Sequence, residues 1–380
     1  MDRENFCLEA DRLTGLGIPY VFLTNFEGTD FRLFPDPQQL SGTKRGFGGT
    51  NFRYFPGPVA SPGLSPLVSD HYNLHIPQLP DFNQFLSAFR YVQQHQRNGD
   101  SWLANLCLAT QVRLPDELNH QTALCDIAEW AVSTFSFYFR DQDGYECCCF
   151  SPEPFVKMEN ADEQSLVHTW PMKGTRTACL DDGSEDTNAA QALLTDPKEL
   201  AEHITVVDLL RNDLGMISNA VSVPRFRYCE RVRTSRGDLW ATSSHIQGVL
   251  PPDWQHHAAS LLCQLLPAGS VSGAPKQRTV ALLQQAEAVK RGWYTGVVGH
   301  FDGQTLYSRI CIRFLERHKS TDQHCWFRSG AGITIYSDAD SEYQEIINKI
   351  YLPPLWQPST SDLSMSDFSA SDLSTGTVLK

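Results

Sequence analysis

An α+β fold built on largely antiparallel sheets is what this 380-residue chain predicts. Three observations carry that expectation. Strand-like runs of aromatic and β-branched residues bounded by Gly and Pro recur along the chain. Two of these runs turn back at Asp-Gly steps, 143–144 and 302–303, which marks antiparallel hairpins. Helical stretches fall between the runs without the regular strand–helix–strand beat of a parallel sheet.

Taken in order, "YVFLTNF" (20–26) reads as a strand, and "GTKRGFGGTNFRYFPGP" (42–58) is rich in turn residues. "FNQFLSAFRYVQQHQRNGD" (82–100) carries apolar residues at helical spacing and a Gly stop, and "SWLANLCLATQVRL" (101–114) is a strand. "TFSFYFRDQDGYECCCFS" (134–151) is the first hairpin. A helix runs through "NAAQALL", and a second occupies 195–215, where Asp196 is the cap, Pro197 the first helical residue, Glu199 its capping-box partner and Gly215 the stop. Residues 275–291 form a further helix, 293–314 the second hairpin, and "CWFRSGAGITIYS" a strand pair or one bent strand. "SEYQEIINKIYL" (341–352) closes the series as a helix. Residues 357–380 are Ser/Asp-rich with little apolar content, a disordered tail.

The balance of 41% hydrophobic and 20% charged residues is that of an ordinary globular protein. A formal net charge of −13 argues against nucleic acid and anionic membranes as partners, yet leaves room for a small anion in a local positive pocket. The charged N-terminus lacks a signal-peptide core, and no stretch has the length of a membrane span. The eleven cysteines form no C-x-x-C pair, and three of them are adjacent at 147–149. They read as free thiols in a reducing, cytoplasmic setting.

Two helices carry acidic pairs one turn apart: Glu199 with Glu202, and Glu342 with Glu345. Such pairs are usually solvated faces, and Glu199 has a capping role open to it. Converging from two helices, the four would suit a hard cation with oxygen ligands, Mg²⁺. The sequence leaves open whether the helices face each other. Lys173 poses a similar choice. A lysine is ordinarily a surface charge, but this one stands in "HTWPMKGTRTA" (168–178), between a proline turn and a Gly-Thr step where little bulk is tolerated. Gly330-Ala331-Gly332 alone signals only a bulge or tight turn, because the third glycine of a dinucleotide fingerprint is missing.

Eight stretches taken together carry a family resemblance: "SPEPF" (151–155), "PMKGTR" (171–176), "KELAEHITVVDLLRNDLG" (198–215), "GSVSGAPK" (269–276), "GWYTGVVGHFDG" (292–303), "RICIRF" (309–314), "SGAGI" (329–333) and "SEYQEIINK" (341–349). In this order they resemble the chorismate-utilising enzymes, the family of anthranilate synthase component I and aminodeoxychorismate synthase component I. The match covers about residues 99–352, within a catalytic region of 99–356, with 1–98 as the variable N-terminal part completing the sandwich. The resemblance implies two large sheets packed together, helices outside, and the active site between them. It implies that Glu202 and Glu345 ligate Mg²⁺, with Glu199 and Glu342 supporting through water, and that the ion holds the ring carboxylate of chorismate. Arg313 would grip the enolpyruvyl carboxylate as a fork. Lys349, Gly174, Thr175, Ser270, Tyr294 and the backbone of Gly330, Ala331 and Gly332 would line the same pocket.

Within that family, lysine at the position of Lys173 resembles the aminodeoxychorismate synthases, whereas alanine resembles the anthranilate synthases. Lys173 would attack ring C2 and expel the C4 hydroxyl, protonated by Glu153, before ammonia displaces the lysine at C4. The attacking amine must be neutral, which burial and a nearby cation such as Arg176 are expected to favour. Leu103 stands where water-adding relatives carry a lysine base. Two positions depart from the family pattern, Ala241 in place of His or Gln and His300 in place of Tyr, and His245 lies four residues beyond the first. Anthranilate synthase-like chemistry and a catalytically silent chorismate-binding subunit are the alternatives. No glutaminase motif is present, so the resemblance implies that a separate glutamine amidotransferase subunit supplies ammonia, for a product leading to para-aminobenzoate and folate.

Overall fold

In the computed structural model, the structure describes residues 1–35, 51–56, 74–118, 120–131, 133, 135–178, 186–232, 239–319, 324–353 and 355. The charged N-terminus folds as helix α1 (Arg3–Gly15), capped by the Asp2 side chain and burying Phe6, Ala10, Leu13 and Thr14 along one stripe. After it come strands β1 (Tyr20–Thr24), β2 (Phe31–Pro35) and β3 (Asn51–Pro56), and helix α2 (Phe82–Arg97). Next are β4 (Leu103–Val112), α3 (Ala123–Trp130), β5 (Phe135–Arg140), β6 (Glu146–Cys149), β7 (Pro154–Ala161), β8 (Gln164–Thr169) and β9 (Met172–Thr177). Two helices, α4 (Thr187–Thr195) and α5 (Pro197–Gly215), lead into a long hairpin of β10 (Asn219–Val232) and β11 (Leu239–Val249). The chain continues through α6 (Ala258–Gln264), α7 (Gly269–Ser272), β12 (Gly273–Ala274) and α8 (Lys276–Ala286). It ends in β13 (Val297–Phe301), β14 (Leu306–Ile310), β15 (Phe314–Arg317), β16 (Cys325–Ile333) and α9 (Ala339–Asn348).

Among the described residues these strands make two sheets, and their pairings are antiparallel. One runs β10-β11-β8-β7-β14-β13-β1-β2, with β9 also on β11; the other runs β12-β4-β16-β15-β6-β5-β3. The period of two along a strand decides what each face buries. On β1, Tyr20 and Phe22 join a core with residues of α1, α5 and α6, while Val21 and Leu23 face Phe137, Phe139 and Phe314 of the other sheet. The outer side of the second sheet is covered by α3 at one end and by α2, α8 and α9 at the other. The fold is therefore a two-sheet α+β sandwich with helices outside.

Several elements differ from the sequence reading. "CWFRSGAGITIYS" contains one strand, β16, because its whole length pairs with β4. The last helix begins and ends earlier than residues 341–352, since Asp338 caps it by accepting from Ser341 N. Part of the turn-rich stretch is a strand, β3; residues 42–50 and 57–58 of it, and the tail 357–380, lie outside the described residues. The ten cysteines among the described residues are free thiols, and no described helix is long and apolar enough to cross a membrane.

Candidate active site

Lys173 enters the site from β9, which lies along β11 with Lys173 opposite Thr242 and Thr175 opposite Ala241. The Thr242 hydroxyl, buried, donates to the Lys173 carbonyl and fixes the strand where its register shifts. Helix α5 is laid over this strand. Asp196 starts the helix by accepting from Glu199 N at 3.2 Å, and one turn on, Glu202 Oε2 stands 3.0 Å from Lys173 Nζ. The glycine after the lysine now has a reason. Gly174 has φ +78°, and a Cβ there would sit 2.5 Å from Glu199 Oε2. The motif is not the turn its sequence suggests but an irregular stretch of strand β9, where the glycine lets a glutamate carboxylate close over the backbone.

The second sheet supplies the opposite wall. A Cβ on Gly332 would lie 3.3 Å from Lys173 Nζ and 3.4 Å from Leu103 Cδ1, so β9, β16 and β4 meet at the lysine. Strand β15 pairs with β16 only as far as Phe314 with Arg328, and past that point β16 runs beside β4 alone. Two cations stand at this stretch. Lys349, at the end of α9, donates from Nζ to the Gly330 carbonyl and to Glu345 Oε1, both at 2.7 Å. Arg313 takes a left-handed φ of +53°, a strained conformation for arginine, and donates to the Lys349 carbonyl at 3.5 Å with its guanidinium over the Tyr351 ring. Among the described residues Arg313 has no carboxylate partner in an ion pair.

Glu153, just before β7, accepts a 2.6 Å hydrogen bond from the Ser270 hydroxyl of α7. Burial pushes its carboxyl pKa up, against the pull of Ser270, Lys173, Lys349 and Arg313. Burial likewise pushes Lys349 down, helped by Arg313 and Lys173. For Lys173 burial also favours the neutral amine, but Glu202, Glu345 and Glu199 together outweigh it and raise the pKa. This corrects the expectation about Arg176, whose guanidinium is instead bonded to Asp196 at 3.2 Å.

Of the residues singled out from sequence, Lys173, Gly174, Glu153, Ser270, Glu199, Glu202, Glu345, Lys349, Arg313, Gly330 and Gly332 thus converge. Ala331 is buried on β16 between the two glycines. Glu342 is buried on α9, and Thr175 is exposed on β9. Tyr294 sits behind the wall, its ring against Phe314 and its pKa raised by burial. His300 stacks on Tyr307, and His245 stacks with His168 and Trp170. Sequence reasoning passed over His203, which is fully buried beside Glu202 and hydrogen-bonded through Nε2 to Ser244 Oγ at 2.7 Å. Burial, with Arg227 and Lys173, pushes it down to about 4, so its ring is neutral. The only signal was its place between two acidic positions and an apolar run.

The donors suit a hard cation, being carboxylate oxygens alone. Glu202 and Glu345 each lie against an ammonium group, and among the described residues no three acidic, His or Cys side chains close around an ion-sized position. A dicarboxylate ligand placed beside these acids would bring in more negative charge, which a divalent cation would offset.

The chain is similar to known proteins over most of its length. Residues 59–353 match the chorismate binding enzyme family. An "Uncharacterized PabA-like protein" of Haemophilus influenzae is 42% identical over 272 residues, 72% of this chain and 76% of that protein. Aminodeoxychorismate synthase component 1 of Bacillus subtilis is 30% identical over 270 residues, 70% of this chain and 54% of that protein. Anthranilate synthase component I of Streptococcus pneumoniae superposes with a TM-score of 0.57 at 30% identity, over 74% of this chain and 59% of that one.

Proposed function

Since the chain belongs to the family of chorismate binding enzymes, we propose that it aminates chorismate at ring C4, as an aminodeoxychorismate synthase component I. The observation that carries this reading is the Lys173 amine inside the sandwich, against Gly332 and with the apolar Leu103 beside it. An amine that becomes a nucleophile once deprotonated stands there, and the neighbouring Leu103 is no base to activate water.

Arg313 and Lys349 supply the positive charge for the carboxylates of chorismate, and the planar arginine fork suits the enolpyruvyl group. The Lys173 amine forms a bond to C2, both ring double bonds shift one position round the ring, and the C4–oxygen bond breaks. Glu153 protonates the departing hydroxyl, which leaves as water; burial keeps this carboxyl protonated closer to neutrality, and Ser270 aims it. Ammonia then bonds to C4, both double bonds shift back, and the C2–nitrogen bond breaks to release Lys173 as a neutral amine. The new C4 ammonium returns a proton to Glu153. In the arrangement described, three glutamates keep Lys173 protonated, so attack requires their charge to be drawn elsewhere. Glu202 and Glu345, with Glu199 and Glu342 behind them, would hold a Mg²⁺ ion that binds the ring carboxylate and balances these acids. Ammonia would come from a separate glutamine amidotransferase subunit, and the product would serve para-aminobenzoate and folate synthesis.

The Lys173–Glu202 ion pair also favours a second reading, in which the lysine is an electrostatic contact in a chorismate-binding subunit without turnover. Chorismate and Mg²⁺ supplied without ammonia separate the two. Nucleophilic attack gives an added mass that peptide mapping places on Lys173, and Lys173→Ala loses both that adduct and C4 amination. An adduct elsewhere, or unimpaired amination in Lys173→Ala, removes the nucleophile role. Product analysis with ammonium distinguishes aminodeoxychorismate from anthranilate.

A further inference from the structure

We propose that a groove on the outer side of α5 is the docking face for the glutamine-hydrolysing subunit that supplies ammonia, an inference that rests on the amination reading above. The groove encloses about 1210 Å³ between α5, β10, the approach to β4 and the start of α8. Its walls expose four large apolar side chains: Trp102 at 67%, Met216 at 53%, Ile204 at 49% and Phe226 at 48%. An ion pair, Arg211 with Asp208 at 3.2 Å, stands among them on the exposed face of α5. Aromatic, Met and Ile anchors with polar groups alongside are the make-up of a protein interface, and a lone globule seldom gathers such residues in one exposed groove.

The position of the groove selects the partner. Helix α5 carries Glu199 and Glu202 against Lys173, and two residues after Glu202 it presents Ile204 to the groove. Between the two faces stands His203. Its ring meets Phe226 edge-on, with centroids 5.8 Å apart and planes at 73°. Its Nε2 is hydrogen-bonded to Ser244, and its buried Nδ1 has no hydrogen-bond partner among the described residues. Ser244 Oγ also accepts from Arg227 N at 2.8 Å, which holds the strand carrying Phe226 in place. Helix α5 itself therefore separates the groove from the site, with the buried His203 ring beneath Phe226 on the groove side. Ammonia released into neutral water is protonated and ceases to be a nucleophile. A source that feeds Lys173's substrate has to seat close to it, and this groove is the apolar face that does so.

The test uses the full chain with a purified glutamine amidotransferase subunit from the same organism. Trp102→Asp, Ile204→Asp and Met216→Asp change the groove, and Leu8→Asp on α1, 72% exposed, is the control. Complex formation is read by sedimentation, and turnover is read with glutamine and separately with ammonium. The groove variants should lose the complex and about tenfold or more of glutamine-supported turnover, while ammonium-supported turnover and the melting temperature stay with the wild type and Leu8→Asp. Full glutamine use in the variants overturns the proposal, as does a wild-type chain that forms no complex. Equal loss with both nitrogen sources also overturns it, because the residues would then act on the reaction itself. So does loss of a homodimer with the amidotransferase complex intact, which would assign the face to a second copy. If wild type fails with ammonium yet the variants lose the complex, the docking face stands and the amination reading falls.

Discussion

Gly174→Ala isolates the contact on which the lysine motif turns. Two costs are built into the change. The residue sits at φ +78°, where an alanine is disfavoured by about 1–2 kcal/mol. Its Cβ would also lie 2.5 Å from Glu199 Oε2 and 3.2 Å from Leu193 Cδ1. Glu199 is a flexible side chain, so the clash is relieved by moving its carboxylate about 1 Å, a misplacement that can cost roughly 100-fold in rate. Gly144→Ala is the matching control, since φ is +88° there and no described residue lies within 4 Å of the added carbon. Both variants should lose about 1–2 kcal/mol of stability, measured by thermal or urea unfolding. Only Gly174→Ala should lose ammonium-dependent turnover, by about 100-fold. Turnover within a factor of about three of wild type would show that the placement of Glu199 over Gly174 is not needed, since that lies far inside the expected loss. A comparable loss in Gly144→Ala would trace the effect to general destabilisation.

Arg313→Lys should weaken chorismate binding about tenfold or more although charge is retained, because an ammonium cannot make two parallel bonds to a carboxylate; an unchanged dissociation constant by calorimetry takes Arg313 out of the pocket. Glu202→Gln and Glu345→Gln should each lower Mg²⁺-dependent turnover about 10–100-fold in a folded protein, and full activity in chelator would remove the metal. Glu153→Gln should abolish turnover yet raise the melting temperature at pH 7. Burial raises the folded-state pKa of Glu153, so its cost to stability is absent below the ordinary carboxylate range and grows as pH climbs through the raised value. The gain from Gln should accordingly vanish at low pH, and a gain that does not depend on pH would assign it to packing.

How much of this was legible without coordinates depended on whether local pattern and tertiary role coincided. Helix α2 was readable because Phe85, Phe89 and Val92 repeat at helical spacing and a capping aspartate precedes them. The β5–β6 hairpin was readable from Asp143-Gly144, since Gly144 does take the positive φ such a turn needs. The β10–β11 hairpin was not: β10 lies at a sheet edge with much of its length exposed, so it lacks the apolar alternation of a half-buried strand. Helix α3 is short and was equally hidden.

At the site, the residue types and spacing of Glu199, Glu202, Glu342 and Glu345 were set by the sequence, as was the placement of Lys173 before a glycine. Which of them meet was not, because Lys173, Glu202 and Gly332 come from three elements and touch only when the two sheets pack. The protonation of Lys173 follows the same rule. Burial and nearby acids oppose each other there, and their balance depends on distances that only the tertiary structure supplies. Chain-local chemistry is written residue by residue; the electrostatic state of a buried group is a property of everything folded around it.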